Sequence, residues 1–340
     1  MKPLFFIFLC FFTLDLTALL DLDEMEQSFI LETHRIHIPG HPKAFNPAIV
    51  RFDNRILMCF RSRDPETNLA NRVGFTWLDN DFKPVGEPQL LELNNDKVAS
   101  EYIQDPRLIV VNNKLYMPYS DLKKNLDTKI KQRTMCLAEI KYDGVCFSIV
   151  HTDSLYDFYA DKSRKFEKNW VPFDYQGILL LAYSISPHTV FYPVRGENRC
   201  VTISESLEYN SWEWGELRGG TPALLIDQDY LSFFHSSTTL TTIQSGNQPM
   251  PHYVMGAYLF DKQPPFAIKK ISPYPIVGKD FYNGKSYQTW KPLQVIFPCG
   301  YIYDKKYIWV SYGRQDHEAW IVKLDKEELL KSLIPFTSHF

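Results

Sequence analysis

Five stretches of this chain share one shape, and that recurrence limits the fold more than any other feature. They are "NPAIVRFDNRILMCFRSRD" from Asn46, "QDPRLIVVNNKLYMPYSD" from Gln104, "VPFDYQGILLLAYSIS" from Val171, "TPALLIDQDYLSFFHSS" from Thr221 and "FPCGYIYDKKYIWVSYGR" from Phe297. Each has a proline, an apolar strand, a short polar turn, a second apolar strand and a polar end. The prolines (Pro47, Pro106, Pro172, Pro222, Pro298) fall at unequal intervals of 59, 66, 50 and 76 residues. Further strand-like runs follow, among them "VGFTWLD", "MCLAEIKYD", "HTVFYPV", "YVMGAYLFD" and "AWIVKLD". Repeated short-strand units of this size are the pattern of a β-propeller, whose radial blades leave only short sheet edges exposed. The expected fold is therefore all-β, a five-bladed β-propeller, in a single domain over residues 25–335. A double-sheet sandwich accounts less well for five matched units. Helical periodicity appears only in "DKEELLKSL", where Asp325 is placed to cap a short C-terminal helix with Leu329, Leu330 and Leu333 on one face.

Residues 1–20 read separately. Lys2 precedes "PLFFIFLCFFTL", an apolar run broken by Asp15, with the length of a signal-peptide core and too short for a comfortable membrane span. A signal peptide, or an N-terminal anchor, is expected there, and with it a secreted or extracytoplasmic protein with no stable membrane span after processing. Beyond Cys10, the cysteines at 59, 136, 146, 200 and 299 are far apart. No disulfide scaffold and no zinc site is expected from them.

Composition excludes some partners. A net charge of −3 gives no reason for nucleic acid. No glycine-rich phosphate loop opens a helix, so no Rossmann-type nucleotide site and no cofactor is expected. Aromatic residues reach 15%, enough to build strands and to stack on sugar rings.

In a propeller the innermost strands begin beside one axial channel, so residues at equivalent places in different blades converge. Those that break the apolar pattern there are Asp105 and Arg107 beside Pro106, Arg61, His235 and Asp316 past second strands, and Lys168-Asn169 before the third unit. An acid facing a basic cluster is coherent chemistry for proton transfer beside an anion site. On spacing alone Asp105 is as well read as a strand start paired with Arg107, His235 as a satisfied strand-end histidine, and Lys168 as part of a solvated loop. Trp170 and Tyr119 read first as core, with stacking on a pyranose as the alternative.

The ordered set "NPA", "DPR", "EKNWVPF", "GGTPALL…FFHS", "YVMGAYLFD…PPF" and "FPCG…SYGRQD" resembles glycoside hydrolase family 130, from about residue 45 to 325. The resemblance implies a five-bladed propeller acting on β-mannosides, mostly by inverting phosphorolysis, with a related glycosyltransferase family, 108, sharing the fold. It implies Asp105 as proton donor, Lys168 and His235 as phosphate ligands, and Arg61, Arg107, Asn169, Trp170 and Asp316 as substrate contacts. Its partners are an oligosaccharide and, as second reactant, inorganic phosphate, a sugar phosphate or a nucleotide sugar. Two departures stand out: Gln104 replaces the family's Glu, and Ser184-Ile185 stand where phosphorylases carry an Arg. A phosphate dianion needs several fixed donors, so transfer to water, a β-mannosyltransferase and a glycan-binding propeller without turnover all stay open.

Overall fold

The computed structural model describes residues 20–63, 66, 72–91, 93, 98–125, 131–155, 168–206, 211–287, 289 and 291–336. The leader reading falls, but for Leu20, on residues outside this set. The described protein is mostly β, with one short α-helix, Lys326–Ser332, near the C-terminus. Asp325 caps that helix by accepting from the Glu328 N–H at 3.1 Å, and Leu329 is buried.

The strands form five antiparallel meanders. The first is Phe45–Phe52, Arg55–Ser62, Arg72–Leu78 and Pro84–Leu91. In the second, Val98–Gln104 and Ile109–Val111 both pair with Lys114–Asn125, followed by Lys131–Tyr142 and Phe147–Leu155. The third is Val171–Tyr175, Ile178–Ser184, Thr189–Val194 and Arg199–Glu205. The fourth centres on the long hairpin Asp229–Thr241 and Pro249–Asp261. The fifth is Gln294–Tyr303, Tyr307–Arg314 and Glu318–Asp325, and its fourth strand is Ile30–Ile36 from the other end of the chain. The hairpin of the fourth meander is so long that His252 and Tyr253 pair in parallel with Gln294 and Val295, which merges the last two meanders into one ten-stranded sheet.

The turns are local chemistry. Asp53-Asn54 and Asn112-Asn113 have positive φ at both positions (52° and 56°, 49° and 60°), as two-residue hairpins require for their twist to match the strands. Gln176-Gly177 does the same at 53° and 82°.

Each meander is bonded to the next. The Cys59 thiol lies 3.9 Å from the Pro106 carbonyl, Asn112 Nδ2 donates to the Gly177 carbonyl at 2.8 Å, Phe173 bridges Ala223, and Tyr301 donates to the Leu231 carbonyl at 2.7 Å. Ser311 of the fifth meander donates back to the Pro47 carbonyl of the first at 2.7 Å. Four apolar clusters fill the spaces between meanders, and the first strands are buried along most of their length. Cys59, Cys136, Cys200 and Cys299 are buried, Cys146 is exposed, and none of the five is in a disulfide.

Candidate active site

The first strands of the meanders begin around one cavity of about 280 Å³. Residues that break the apolar pattern gather there because their backbones are turned out of the strands. Asn46 (φ 49°), Asp105 (φ 53°), Asn169 (φ 67°) and Asp316 (φ 51°) all adopt the left-handed conformation without being glycine. Asn46 and Asp105 do so immediately before proline, which disfavours anything but extended backbone. Each such residue costs about 1–3 kcal/mol and persists only where its surroundings hold it.

Asp105 is the centre of the site. It is 8% exposed, and its Oδ1 accepts from Asn46 Nδ2 at 3.0 Å. Arg61 Nη1 lies 3.6 Å from the same oxygen. The Arg61 guanidinium rests over the rings of Phe45 (4.5 Å) and Tyr102 (5.1 Å). Among the described residues its Nε and Nη2 have no hydrogen-bond partner, although both are buried. Such donors are costly to leave unmet, and an anion entering the cavity meets them.

Lys168, Arg218 and His235 line the same cavity. Lys168 is exposed at the rim, while Arg218 is half-buried and paired with Glu216 at 2.6 Å. His235 is buried between Tyr253 and Phe297. Burial, reinforced by the positive charges of Arg107, Arg218 and Lys168, holds its pKa well below the ordinary histidine value. The ring is therefore neutral. Its Nδ1 lies 3.1 Å from the Gly219 carbonyl, which can only accept, so Nδ1 carries the proton and Nε2 is an acceptor. His235 is thus suited to receive a hydrogen bond from a phosphate or sugar hydroxyl.

Asp316 is a second carboxylate in the cavity. Burial pushes its pKa above the ordinary range, Asp105 adds to that, and Arg61 and Arg63 oppose it.

Two residues proposed from the sequence sit elsewhere. Arg107 is not part of the cavity lining. It is 1% exposed behind the cavity, where Nη2 donates to the Gly219 carbonyl at 2.9 Å, Nε to the Gly220 carbonyl, and Nη1 to the Asp105 carbonyl at 3.3 Å. It ties the second meander to the fourth and fixes the backbone beneath both Asp105 and His235. Trp170 is fully buried among Ile109, Leu137 and Phe191, edge-on to Tyr183 and Phe191. It packs the core between the second and third meanders, because its neighbour Asn169, turned by its positive φ, takes the place at the cavity.

Sequence reasoning missed the roles of Asn46, Tyr102 and the Arg218 side chain. Asn46 carried a usable signal: it precedes proline just as Asp105 does, one unit earlier. Gly313 explains why Asn46 fits, since a Cβ there would meet Asn46 Oδ1 at 1.9 Å. Among the described residues, no group of three or more His, Cys, Asp or Glu side chains is arranged to hold a metal.

The profile of the beta-1,4-mannooligosaccharide phosphorylase family matches residues 22–334. A mannose phosphorylase of Leishmania mexicana, solved with a phosphate ion, superposes with a TM-score of 0.60 at 14% identity, over 94% of this chain and 96% of its own. A β-1,2-mannobiose phosphorylase of Listeria innocua, solved with β-1,2-mannobiose, gives 0.55 at 16% identity, over 89% and 99%. A glycosyl hydrolase of Bacteroides ovatus gives 0.53 at 14% identity, over 88% and 87%. At these identities the likeness is one of fold. No curated protein sequence matches the chain.

Proposed function

Because the chain belongs to glycoside hydrolase family 130, we propose that it is a five-bladed β-propeller enzyme that transfers a mannosyl group from a β-mannoside to phosphate with inversion. The cyclic order of hydrogen bonds between the five meanders, with Ser311 returning to Pro47, supports the closed ring. The observation that carries the function is the cavity itself, where one hydrogen-bonded carboxylate, Asp105, faces Arg61, Lys168, Arg218 and His235.

In this reading Asp105 supplies the proton to the departing glycosidic oxygen, directly or through a sugar hydroxyl. The C–O bond to the leaving sugar breaks as a phosphate oxygen attacks the anomeric carbon from the opposite face. The products are mannose 1-phosphate of inverted configuration and a shortened saccharide. The open Arg61 donors, Lys168 and Arg218 hold the phosphate charge, and His235 Nε2 accepts from its hydroxyl. Asn169 and Asp316 face the sugar.

Transfer to water is favoured by a separate observation. Asp316 provides a second carboxylate in the same cavity, and inverting hydrolysis uses one carboxyl as acid and another as base to activate water.

The decisive assay incubates the purified protein with β-mannobiose, with and without phosphate. Phosphate-dependent mannose 1-phosphate supports phosphorolysis, and free mannose in both conditions supports hydrolysis. Chain growth from an activated mannose donor would mark a β-mannosyltransferase. Glycan binding without any product would mark a non-catalytic propeller. Asp105→Asn is expected to cut turnover by about 10²–10⁴-fold while sugar binding persists. Full activity in that variant removes the acid assignment.

A further inference from the structure

A cavity of about 790 Å³ is separate from the one that holds Asp105. All five meanders contribute to it, from the far ends of their first strands, so it lies at the opposite end of the same axis.

Its walls are built from tyrosines that are held still. Tyr230 donates to the Asp174 carbonyl at 2.5 Å, Tyr301 to the Leu231 carbonyl at 2.7 Å, Tyr303 to the Leu225 carbonyl at 2.8 Å, and Tyr175 to Gln263 Oε1 at 3.2 Å. Tyr230 and Tyr301 are buried, whereas Tyr175 and Tyr303 are half-buried, and rings fixed in this way lose little side-chain freedom when a ligand stacks on them. Leu225 lies among them and is still 45% exposed. Two primary amides, Gln176 and Gln263, also line the cavity, and an amide both donates and accepts.

Two of the charged groups that line this cavity already hold hydrogen bonds. Lys262 Nζ donates to Gln228 Oε1, Asp174 Oδ1 accepts from the Gly177 N–H at 2.7 Å, and Arg51 is exposed. A pure hydrocarbon would strip water from the amides without replacing it. A pyranose chain has apolar C–H faces for the tyrosines and a ring of hydroxyls for the amides, and it is neutral. We propose that this cavity is a second, non-catalytic carbohydrate site that holds a neutral β-linked manno-oligosaccharide. The choice of sugar rests on the function proposed above, whereas the site rests on the cavity alone.

The test is calorimetric titration of the full chain carrying Asp105→Asn with β-1,4-mannotriose. Two binding events are expected. Adding Gln263→Ala should weaken only one of them, by about fivefold, the value of one hydrogen bond. Adding Leu225→Trp should strengthen that same event by enlarging the stacking surface. A single event overturns the proposal, as do two events that neither substitution moves. Turnover of mannotriose by the unsubstituted protein is measured separately. Cleavage with a single event sinks the second site alone, and two events without cleavage sink the proposed reaction and leave the second site standing.

Discussion

Gly313→Ala is a substitution of one methyl group, made on the strand Tyr307–Arg314, and it should reach the reaction through Asn46. The added Cβ would lie 1.9 Å from Asn46 Oδ1 and 3.0 Å from both Asn46 Cγ and Asn46 N. Contact between carbon and oxygen needs more than about 3 Å, so the side chain has to move by over 1 Å. Asn46 Nδ2 is the group that holds Asp105 Oδ1 at 3.0 Å. Displacing a reacting group by about 1 Å costs on the order of 10²-fold in rate, and overpacking a filled site costs about 1–3 kcal/mol in stability. The expected result is therefore a fall in kcat of about 10²-fold on β-mannobiose, with a modest loss of Tm, measured well below that Tm. A double-mutant cycle isolates the cause. In an Asn46→Ala background the 1.9 Å contact no longer exists, so adding Gly313→Ala should reduce kcat by less than about threefold. Gly313→Ala with kcat within about twofold of the unsubstituted protein would refute the positioning of Asp105 by Asn46. So would an equal loss with and without the Asn46 side chain.

Other perturbations probe different parts of the molecule. Arg61→Lys keeps a charge beside Asp105 but loses the fork whose Nε and Nη2 are open, so the KM for phosphate should rise about tenfold or more. Lys168→Ala, at the exposed rim, should raise it by less, with an effect that fades in high salt; unchanged phosphate KM in both variants removes the anion site. His188 is fully buried, and burial lowers its pKa to about 4 from 6.5. The unfolded chain then binds more protons than the folded one between those values, so stability is complete above about pH 6.5 and is lost as pH falls toward 4. The loss is on the order of 3 kcal/mol; urea unfolding at pH 7 and pH 4.5 should show a shallower acid decline in His188→Gln, and identical declines would refute it. Replacing Phe6 and Leu9 by Arg should keep the protein in the cytosol if the leader directs export, and fractionation that finds it exported regardless removes that reading.

The repeated unit was legible in the residues because each meander is made by local chemistry. Alternating apolar runs make the strands, and Asp-Asn and Asn-Asn pairs make turns that need positive φ. The capped helix at Asp325 was legible for the same reason. Closure of the fifth meander by Ile30–Ile36 was not, since nothing near that strand names Glu318–Asp325, almost three hundred residues away, as its partner. The merging of the last two sheets through His252 and Tyr253 depends likewise on how far a hairpin reaches past its neighbour.

At the site, the sequence by itself determined which unusual residues stand near the starts of first strands and in or just past second strands, and so brought Asp105, Lys168, Asn169, His235, Arg61 and Asp316 into view. Only the tertiary structure decided which of their neighbours face the cavity. Arg107 stands two residues from Asp105 and Trp170 next to Asn169, yet one turns back to the carbonyls of Gly219 and Gly220 and the other into the core. Asn46 reaches Asp105 across 59 residues of chain because Gly313, from a third meander, leaves it room. Backbone dihedrals and turn types are written in nearest neighbours, whereas the direction of a side chain at a point where several sheets meet is set by the space the other sheets leave.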